Sequence, residues 1–300
     1  MKLYAGLDGG GTKTKLLILN EHKEVVYEAV AGPTSIDTVS FDVIKSTFAE
    51  LFANFNPTNP ISAIYAGLGG IADEKDKQRL VTVMKGLTHV TRKTLYGVDN
   101  DVNNALAGSL GHDQGMVLIA GTGSVVYGHH KNKTWRAGGI SAKEGDPGSS
   151  YDLGFQALRH LGKVLDGRCP STAFSQDLMN SLKVNDYPTL AKLFNTSTRT
   201  TIASLSQIVT RHHEDPYAQG MMLQGINELV LMVNTVYRRL GFEKTELGLV
   251  GSLANANTPY KANLIQAIKK AVPLITVIAP PRFEAVMGSA LLAMALEKNI

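Results

Sequence analysis

Cysteine is nearly absent from the sequence, whose 300 residues include only Cys169. One cysteine cannot build a disulfide framework, and it excludes any iron–sulfur or zinc site that needs several cysteines from one chain. Long apolar runs are missing too, since none approaches the roughly 18 residues of a membrane-spanning helix. The N-terminus passes directly into a strand pattern instead of a signal peptide. We therefore expect a soluble, cytoplasmic protein.

An excess of charge of one sign is also lacking. The 30 basic and 26 acidic residues leave a net charge of +4, and no basic cluster indicates nucleic-acid binding. With 44% hydrophobic and 19% charged residues, the chain is not disordered. A protein of this size buries about three quarters of its surface, which is enough for one large core or two medium ones. Glycine, in contrast, is abundant, with 29 residues.

The N-terminal pattern predicts an antiparallel meander of three strands, Leu3–Asp8, Thr14–Asn20 and Val25–Ala31. The first turn between them carries Gly9-Gly10-Gly11-Thr12. A dinucleotide-binding unit would lead from its glycine turn into a helix, so this arrangement is a different one. Helix and strand patterns then alternate as far as Leu110.

The same plan restarts after Gly111. A strand at Met116–Ala120 leads into the glycine turn Gly121-Thr122-Gly123-Ser124, and Val125–His130 returns. The Gly-Thr pairs of the two turns lie 110 residues apart. We interpret this as an internal duplication that gives two domains. They are predicted at residues 1–112 and 113–287, with the C-terminal helix, about 288–300, completing the first domain.

The two glycine turns favour a polyphosphate ligand. Glycine lets a backbone approach an anion closely and direct successive amides at it. Asp8 immediately precedes the first turn, and a carboxylate beside phosphates requires a divalent cation between them. A single glycine hairpin is more often only a turn, but two in matching positions, one preceded by an acid, indicate a site.

The stretch Asp8-Gly9-Gly10-Gly11-Thr12-Lys13-Thr14 resembles the first phosphate motif of the sugar-kinase/actin/heat-shock ATPase superfamily. The full set of motifs resembles the BadF/BadG/BcrA/BcrD-type ATPases, the branch that contains N-acetylglucosamine kinases. The other matching stretches are Ala66–Gly70, Asn100–Leu106, Ile119–Val125, Gly138–Tyr151, Leu249–Ser252 and Met287–Ala290. The resemblance implies an α/β fold of the actin-like ATPase type. In that fold two duplicated ribonuclease-H-like domains lie around a central cleft and close on ATP and a sugar.

The resemblance also implies ATP and Mg²⁺ as cofactors. Asp8 would position the Mg²⁺ ion through water. Gly251 and Ser252 resemble the family's adenosine loop, although a plain connection between a strand and a helix remains an alternative. The residues expected to hold the phosphates are Asp8, Gly10, Gly11, Thr12, Lys13, Gly121, Thr122 and Gly123.

Asp101 is the candidate general base. It lies between a predicted strand and a predicted helix, and its surroundings resemble the family's catalytic aspartate position. The alternative from spacing alone is that Asp101 merely caps the helix. Asp99 competes for the catalytic role but is better explained as a residue of the turn at the strand end.

The resemblance predicts a sugar pocket whose identity the sequence leaves open. Asp146 matches the acid that binds sugar hydroxyls, with a turn-forming aspartate as its alternative. Three residues of this pocket differ from relatives. Ser35 stands where relatives have an asparagine, Ile140 where the animal N-acetylglucosamine kinases have a tryptophan, and Pro147 where the family usually has a second acid. The expected substrate-binding residues are Ser35, Gly69, Asp101, Ser124, Val125, Gly139, Ile140, Ser141 and Asp146.

The resemblance therefore predicts a kinase that transfers the γ-phosphate of ATP to the 6-hydroxyl of an amino sugar. N-acetylglucosamine is the favoured substrate. Glucosamine, glucose, N-acetylmannosamine and N-acetylmuramate are the alternative sugars. A reductase-activating ATPase would need paired cysteines. A sugar-sensing regulator would need a DNA-binding module, for which the strand starting at residue 3 leaves no room. The expected partner is a small-molecule sugar, without nucleic acid or membrane, and a homodimer is left open.

Overall fold

The computed structural model describes residues 1–71, 73–140 and 143–298, and the chain divides into two compact units. Unit 1 consists of Met1–Gly115 and Pro281–Ile300, and unit 2 of Met116–Pro280. None of the helices in these described ranges is long and apolar enough to cross a membrane.

The return of the chain to unit 1 precedes the last helix. The predicted domain boundary lies at residue 287, whereas unit 1 resumes at Pro281. The backbone N–H groups of Arg282 and Phe283 donate to the carbonyl oxygens of Ser109 and Gly108 at 3.1 and 2.9 Å. These bonds attach the segment to unit 1 at residues that precede the first turn of the last helix in the chain. Helical periodicity does not reveal such a long-range pairing.

The elements alternate in nearly the order that the sequence predicts. The strands are β1 (Leu3–Gly9), β2 (Thr14–Asn20), β3 (Val25–Ala31), β4 (Ala63–Leu68), β5 (Leu95–Asn100), β6 (Gly115–Ala120), β7 (Ser124–His130), β8 (Lys133–Gly138), β9 (Thr245–Val250) and β10 (Ile275–Ile278). The helices are α1 (Phe41–Phe52), α2 (Glu74–Lys85), α3 (Asp101–Leu110), α4 (Ser150–Leu165), α5 (Ala173–Leu182), α6 (Tyr187–Thr196), α7 (Arg199–Ser204), α8 (Ser206–Arg211), α9 (Pro216–Leu240), α10 (Ser252–Asn255), α11 (Pro259–Ala271) and α12 (Ala285–Lys298).

Each unit contains one five-stranded mixed sheet, in the orders β3-β2-β1-β4-β5 and β10-β9-β6-β7-β8. Both sheets begin with three consecutive strands, and both add their last two strands beside the first of these. In unit 1, β1 is antiparallel to β2 and parallel to β4, which is parallel to β5. In unit 2, β6 is parallel to β9 and β9 to β10. This repeated topology agrees with the predicted duplication. The second copy differs by the helices α4–α9, which separate β8 from β9.

The strand register brings the carboxyl ends of β1, β4 and β5 to one edge of the sheet of unit 1. Gly9 pairs with Leu68 across β1 and β4, and Leu68 pairs with Asn100 across β4 and β5. The residues that follow these ends are the first glycine turn, Gly69 and Asp101. Sheet register thus places three predicted site segments side by side.

Glycines allow α12 to pack closely on unit 1. A Cβ on Gly6 of β1 would lie 2.2 Å from the backbone nitrogen of Ala290, and one on Gly288 would lie 2.4 Å from that of Gly108. The hydroxyl of Ser289 donates to the carbonyl oxygen of Leu7 at 2.8 Å. Such contacts permit no side chain at these crossings, so they fix α3, and with it Asp101, against the sheet.

Candidate phosphoryl-transfer residues of the two units

The first glycine turn is tied to two neighbouring segments of unit 1. The N–H groups of Thr34 and Ser35 donate to the carbonyl oxygen of Gly10 at 3.1 and 3.2 Å. Gly69 donates to the carbonyl oxygen of Gly9 at 2.9 Å. Thr12 and Lys13 are exposed at the tip of the turn. Backbone hydrogen bonds therefore fix the start of the turn at Gly9 and Gly10, while its tip is exposed to solvent.

Gly10 and Gly11 leave open space beside the turn. A Cβ on Gly10 would meet no atom within 4 Å, and one on Gly11 would come only within 3.5 Å of the Thr38 side chain. Neither glycine has a positive φ. Backbone conformation and packing within unit 1 therefore do not explain the glycines, whereas close approach of an anion to the backbone does.

Asp8 is held by a buried asparagine. The amide nitrogen Nδ2 of Asn104 donates to Oδ1 of Asp8 at 2.9 Å and to the carbonyl oxygen of Gly67 at 2.9 Å. Burial is the largest influence on Asp8 and raises its pKa; the Asn104 bond opposes that rise, and the negative charge of Asp101 adds to it. Lys15 lies across the strand pair from Asp8 and lowers its pKa, but the Lys15 ammonium is paired with Glu284. Asp8 is thus a carboxylate whose negative charge unit 1 compensates only in part.

Asp101 is the first residue of α3, and the structure shows that it does not cap the helix. Asn100 is the N-cap, since its side chain accepts from the backbone N–H of Val102 at 3.4 Å. Asp99 forms a salt bridge with Lys77 of α2 at 3.2 Å. The capping alternative for Asp101 is therefore wrong, and Asp99 is engaged elsewhere.

Ser35, Gly69 and Asp101 come together in unit 1. A Cβ placed on Gly69 would lie 3.1 Å from Oγ of Ser35 and 3.6 Å from Oδ2 of Asp101. Any side chain at position 69 would therefore crowd both groups. A hydroxyl and a carboxylate around a glycine are the parts expected where a substrate alcohol is oriented and its proton accepted.

The donor set of unit 1 fits a hard divalent cation. Mg²⁺ is typically bound by one or two carboxylates together with waters and substrate phosphates. Asp101 is close enough to Asp8 for its negative charge to raise the pKa of Asp8. Within residues 1–71, 73–140 and 143–298, no group of three or more histidine, cysteine, aspartate or glutamate side chains could hold a metal. Asp8 and Asp101 supply the one or two carboxylates that a Mg²⁺ site typically uses.

In unit 2, the second glycine turn contacts the N-terminal end of α4 and the loop after β9. The N–H of Ser150 donates to the carbonyl oxygen of Gly121 at 2.8 Å. Gly251 has a φ of +101°, and a Cβ there would lie 2.4 Å from the carbonyl oxygen of Ala120. Only glycine fits this position, so the predicted adenosine loop lies directly against the predicted phosphate turn.

A cavity of about 660 Å³ opens beside these two loops, a volume in the range of small-molecule sites. Thr122 of the turn and Ser252 of the adenosine loop both line it. The remaining lining residues come mostly from α7, α8 and the segment before α11, and most of them are polar by residue type. These residues are Ser150, Thr200, Ala203, Ser204, Ser206, Gln207, Thr210, Arg211, His213, Leu253, Ala256, Asn257, Thr258 and Pro259.

Asp146 is buried, with its side chain 4% exposed, and forms an ion pair with Arg199. Its φ of +46° is left-handed, which aspartate tolerates better than most residues. A Cβ on Gly123 would lie 2.7 Å from Nη2 of Arg199 and 3.2 Å from Oδ1 of Asp146. The ion pair therefore lies against the backbone of the second glycine turn.

The other predicted sugar residues of unit 2 differ in exposure. Ser124 is buried, and its hydroxyl donates to the carbonyl oxygen of Pro147 at 2.7 Å, so it supports the Asp146 loop. Val125 is also buried, and a Cβ on Gly139, whose φ is +64°, would lie 2.8 Å from that of Val125. Ile140 is 82% exposed. Ser141 lies outside the described residues.

The model of the BadF/BadG/BcrA/BcrD ATPase family matches residues 5–293. The chain belongs to this family. A protein of Clostridium acetobutylicum named N-acetylmuramic acid/N-acetylglucosamine kinase is 29% identical over 273 residues, covering 87% of this chain and 88% of the relative. A Dictyostelium discoideum protein named N-acetyl-D-glucosamine kinase is 27% identical over 265 residues, covering 82% of each chain.

A solved structure has the same fold as this chain. It is a candidate N-acetylglucosamine kinase from Chromobacterium violaceum, with a TM-score of 0.72 and 20% identity over 98% of this chain and 99% of its own. The predicted fold class, an actin-like α/β ATPase fold with two mixed sheets, is confirmed.

Two residues of this ATPase-family chain escaped the sequence analysis. Asn104 follows Asp101 by three positions, a helical spacing that would have placed it on the same face as the candidate base. Arg199 follows Asp146 by 53 residues and belongs to none of the motifs. Only the folded arrangement of α4 and α7 brings it to the second turn.

Proposed function

We propose that the protein is an ATP-dependent kinase that transfers the γ-phosphate of ATP to the 6-hydroxyl of an amino sugar, most favourably N-acetylglucosamine. The observation that carries the proposal is the group of Ser35, Gly69 and Asp101 beside the first glycine turn. The family match and the names of the relatives from Clostridium and Dictyostelium support the same reaction class. Because ATP is the donor, we place the reaction in the cytoplasm.

In this proposal Asp101 is the general base. It accepts the proton of the sugar hydroxyl as that oxygen attacks the γ-phosphorus, while the bond to the leaving β-phosphate oxygen breaks and ADP departs. Ser35 and Gly69 orient the sugar, Ser35 by its hydroxyl and Gly69 by leaving room beside Asp101. Asp146, Ser124, Val125, Gly139, Ile140 and Ser141 remain proposed sugar residues of unit 2.

Each unit has its own proposed nucleotide-binding residues. Gly10, Gly11, Thr12 and Lys13 supply amides, a hydroxyl and a positive charge to the phosphates. Gly121, Thr122 and Gly123 supply the second turn, and Gly251 and Ser252 contact the adenosine. Asp8 would hold Mg²⁺, which supplies charge neutralisation of the β- and γ-phosphates when bound.

Sugar-dependent ADP release tests the function. The panel contains N-acetylglucosamine, glucosamine, glucose, N-acetylmannosamine and N-acetylmuramate, each with ATP and Mg²⁺. We expect the highest kcat/KM with N-acetylglucosamine and a product phosphorylated at the 6-position by NMR. Release of ADP that does not depend on any sugar would contradict the kinase assignment. A preference for another sugar of the panel would preserve the kinase and replace the substrate.

A further inference from the structure

We propose that Arg199 is a phosphate-binding residue of the nucleotide site and that Asp146 positions it. The proposal rests on the proposed use of ATP and adds a residue to it. It begins from the ion pair between Arg199 and the buried carboxylate of Asp146. Gly123, Asp146 and Arg199 all lie within unit 2.

The ion pair occupies the place where a side chain at position 123 would be. A Cβ on Gly123 would come within 2.7 Å of the guanidinium and within 3.2 Å of the carboxylate. Gly123 is not in the left-handed region, so its backbone conformation does not demand glycine. The absence of a side chain at position 123 lets the Arg199 guanidinium lie against the turn that is expected to hold phosphate.

The helix that carries Arg199 is fixed rather than loosely attached. A Cβ on Gly154 of α4 would lie 1.9 Å from the carbonyl oxygen of Ile202, so α7 packs directly on the α4 backbone. Thr198 caps α7 by accepting from the N–H of Thr201 at 3.1 Å. The Arg199 guanidinium also lies 5.9 Å from the ring centroid of Tyr151 in α4. These contacts place the cation at a defined point beside the turn.

The same short helix also lines the cavity of unit 2. Thr200, Ala203 and Ser204 of α7 line it, as does Thr122 of the turn. Arg199 is next to the cavity residue Thr200 in the chain. It also lies against Gly123, which is next to the cavity residue Thr122. A nucleoside in the cavity with its phosphates at the turn would bring those phosphates to Arg199.

The chemistry of the guanidinium suits this role. It carries five N–H donors in a planar fork that matches phosphate oxygens, and the bond to Asp146 uses Nη2. The Arg199 side chain is 43% exposed, whereas that of Asp146 is 4% exposed. The carboxylate thus holds one side of the guanidinium inside the unit while the cation keeps an accessible side.

Calorimetric titration with ADP and with adenosine separates phosphate binding from a structural role. We expect Arg199→Ala to weaken ADP binding about ten- to hundredfold while adenosine binding changes by less than about twofold. Arg199→Lys keeps a charge for Asp146 but lacks the planar fork, so its affinity for ADP should lie between those of the wild type and Arg199→Ala. The double variant Asp146→Asn/Arg199→Ala removes both charges, so it gives the same comparison without leaving a buried carboxylate unpaired.

Arg168→Ala is the matched control, because Arg168 forms an exposed ion pair with Asp166 in the same unit, at 2.6 Å. It should bind ADP and adenosine like the wild type. Equal losses of ADP and adenosine affinity in the Arg199 variants, or unchanged ADP affinity, would overturn the proposal, and so would a wild-type protein that binds no ADP. A wild type that binds ADP through Arg199 but phosphorylates no sugar would instead refute the proposed kinase and leave this inference standing.

Discussion

The side-chain amide of Asn104 connects Asp8 at the end of β1 to Gly67 near the end of β4, with both bonds at 2.9 Å. The Asn104 side chain is fully buried, and Gly67 leaves it room, since a Cβ there would lie 2.0 Å from its Oδ1. One residue of α3 thus fixes the carboxylate proposed to hold Mg²⁺. The same helix begins with the proposed base, so its position determines both.

Removing that amide should destabilise unit 1. Asn104→Ala leaves Oδ1 of Asp8 and the carbonyl of Gly67 without their buried donor, which costs about 1–3 kcal/mol in the free energy of unfolding. Urea denaturation measures it. Asn103→Ala is the matched control on the same helix, because the amide of Asn103 makes a local bond to the carbonyl of Asn100 at 3.3 Å. An equal loss in both variants would show that the buried bonds of Asn104 contribute no more to stability than the local bond of Asn103.

The raised pKa of Asp8 predicts a pH-dependent gain in stability when its charge is removed. The folded protein binds the Asp8 proton more tightly than the unfolded chain, so ionisation of Asp8 lowers stability as the pH rises above its ordinary pKa of 3.8. Asp8→Asn mimics the protonated form and should raise the Tm at pH 7 in the absence of Mg²⁺ and nucleotide. The gain should shrink as the pH falls towards 3.8.

Scanning calorimetry at several pH values checks this expectation. Mg²⁺ with ADP should then stabilise the wild type more than Asp8→Asn, because the variant has lost the ionised oxygen that a cation requires. A variant that is less stable than the wild type at pH 7 without ligand would contradict the expected direction. Equal stabilisation of both proteins by Mg²⁺ and ADP would remove Asp8 from the metal site.

Local sequence signals were sufficient for much of the fold and for part of the site. The glycine turns and strand patterns predicted the two meanders, and sheet register then aligned Gly69 and Asp101 without further information. The end of α1 is an exception: the apolar spacing from Phe41 to Phe55 predicts a helix that continues to Phe55, but the helix ends at Phe52. Phe55 is still buried and packs on Tyr27 with ring centroids 5.0 Å apart. Periodicity detects burial here without distinguishing a helix from the turn that follows it.

Contacts between distant segments were beyond the sequence. The pairing of Asp146 with Arg199 depends on how α7 packs on α4, and α7 has only six residues and no motif of its own. The choice of Asn100 rather than Asp101 as the cap of α3 also depends on structure, since both residue types cap well. Sequence identifies candidate chemistry at such places, but packing decides which neighbour uses it.

The glycines of unit 1 should separate ligand binding from stability. Gly10→Ala meets no atom within 4 Å, so the free energy of unfolding should change by less than about 0.5 kcal/mol. The added methyl group would occupy the space beside the turn and should raise the KM for ATP. Gly67→Ala instead collides with the buried Asn104 and should destabilise unit 1 by about 1–3 kcal/mol.

Urea denaturation and initial-rate kinetics on both variants make this comparison. If Gly10→Ala binds ATP as well as the wild type, the first turn does not contact phosphate. If Gly67→Ala is as stable as the wild type, Asn104 has an alternative position that keeps unit 1 intact.

Neighbouring residues at the start of α3 should separate catalysis from capping. Asp101→Asn keeps the shape of the side chain but removes the carboxylate that accepts the proton, so kcat should fall about 10²- to 10⁴-fold with little change in Tm. Asn100→Ala removes the cap and should cost about 0.5–2 kcal/mol of stability, while the folded fraction keeps the kcat of the wild type. Rates measured well below the Tm of both variants make the comparison fair. A large loss of kcat in Asn100→Ala alone, with Asp101→Asn fully active, would transfer the catalytic role away from Asp101.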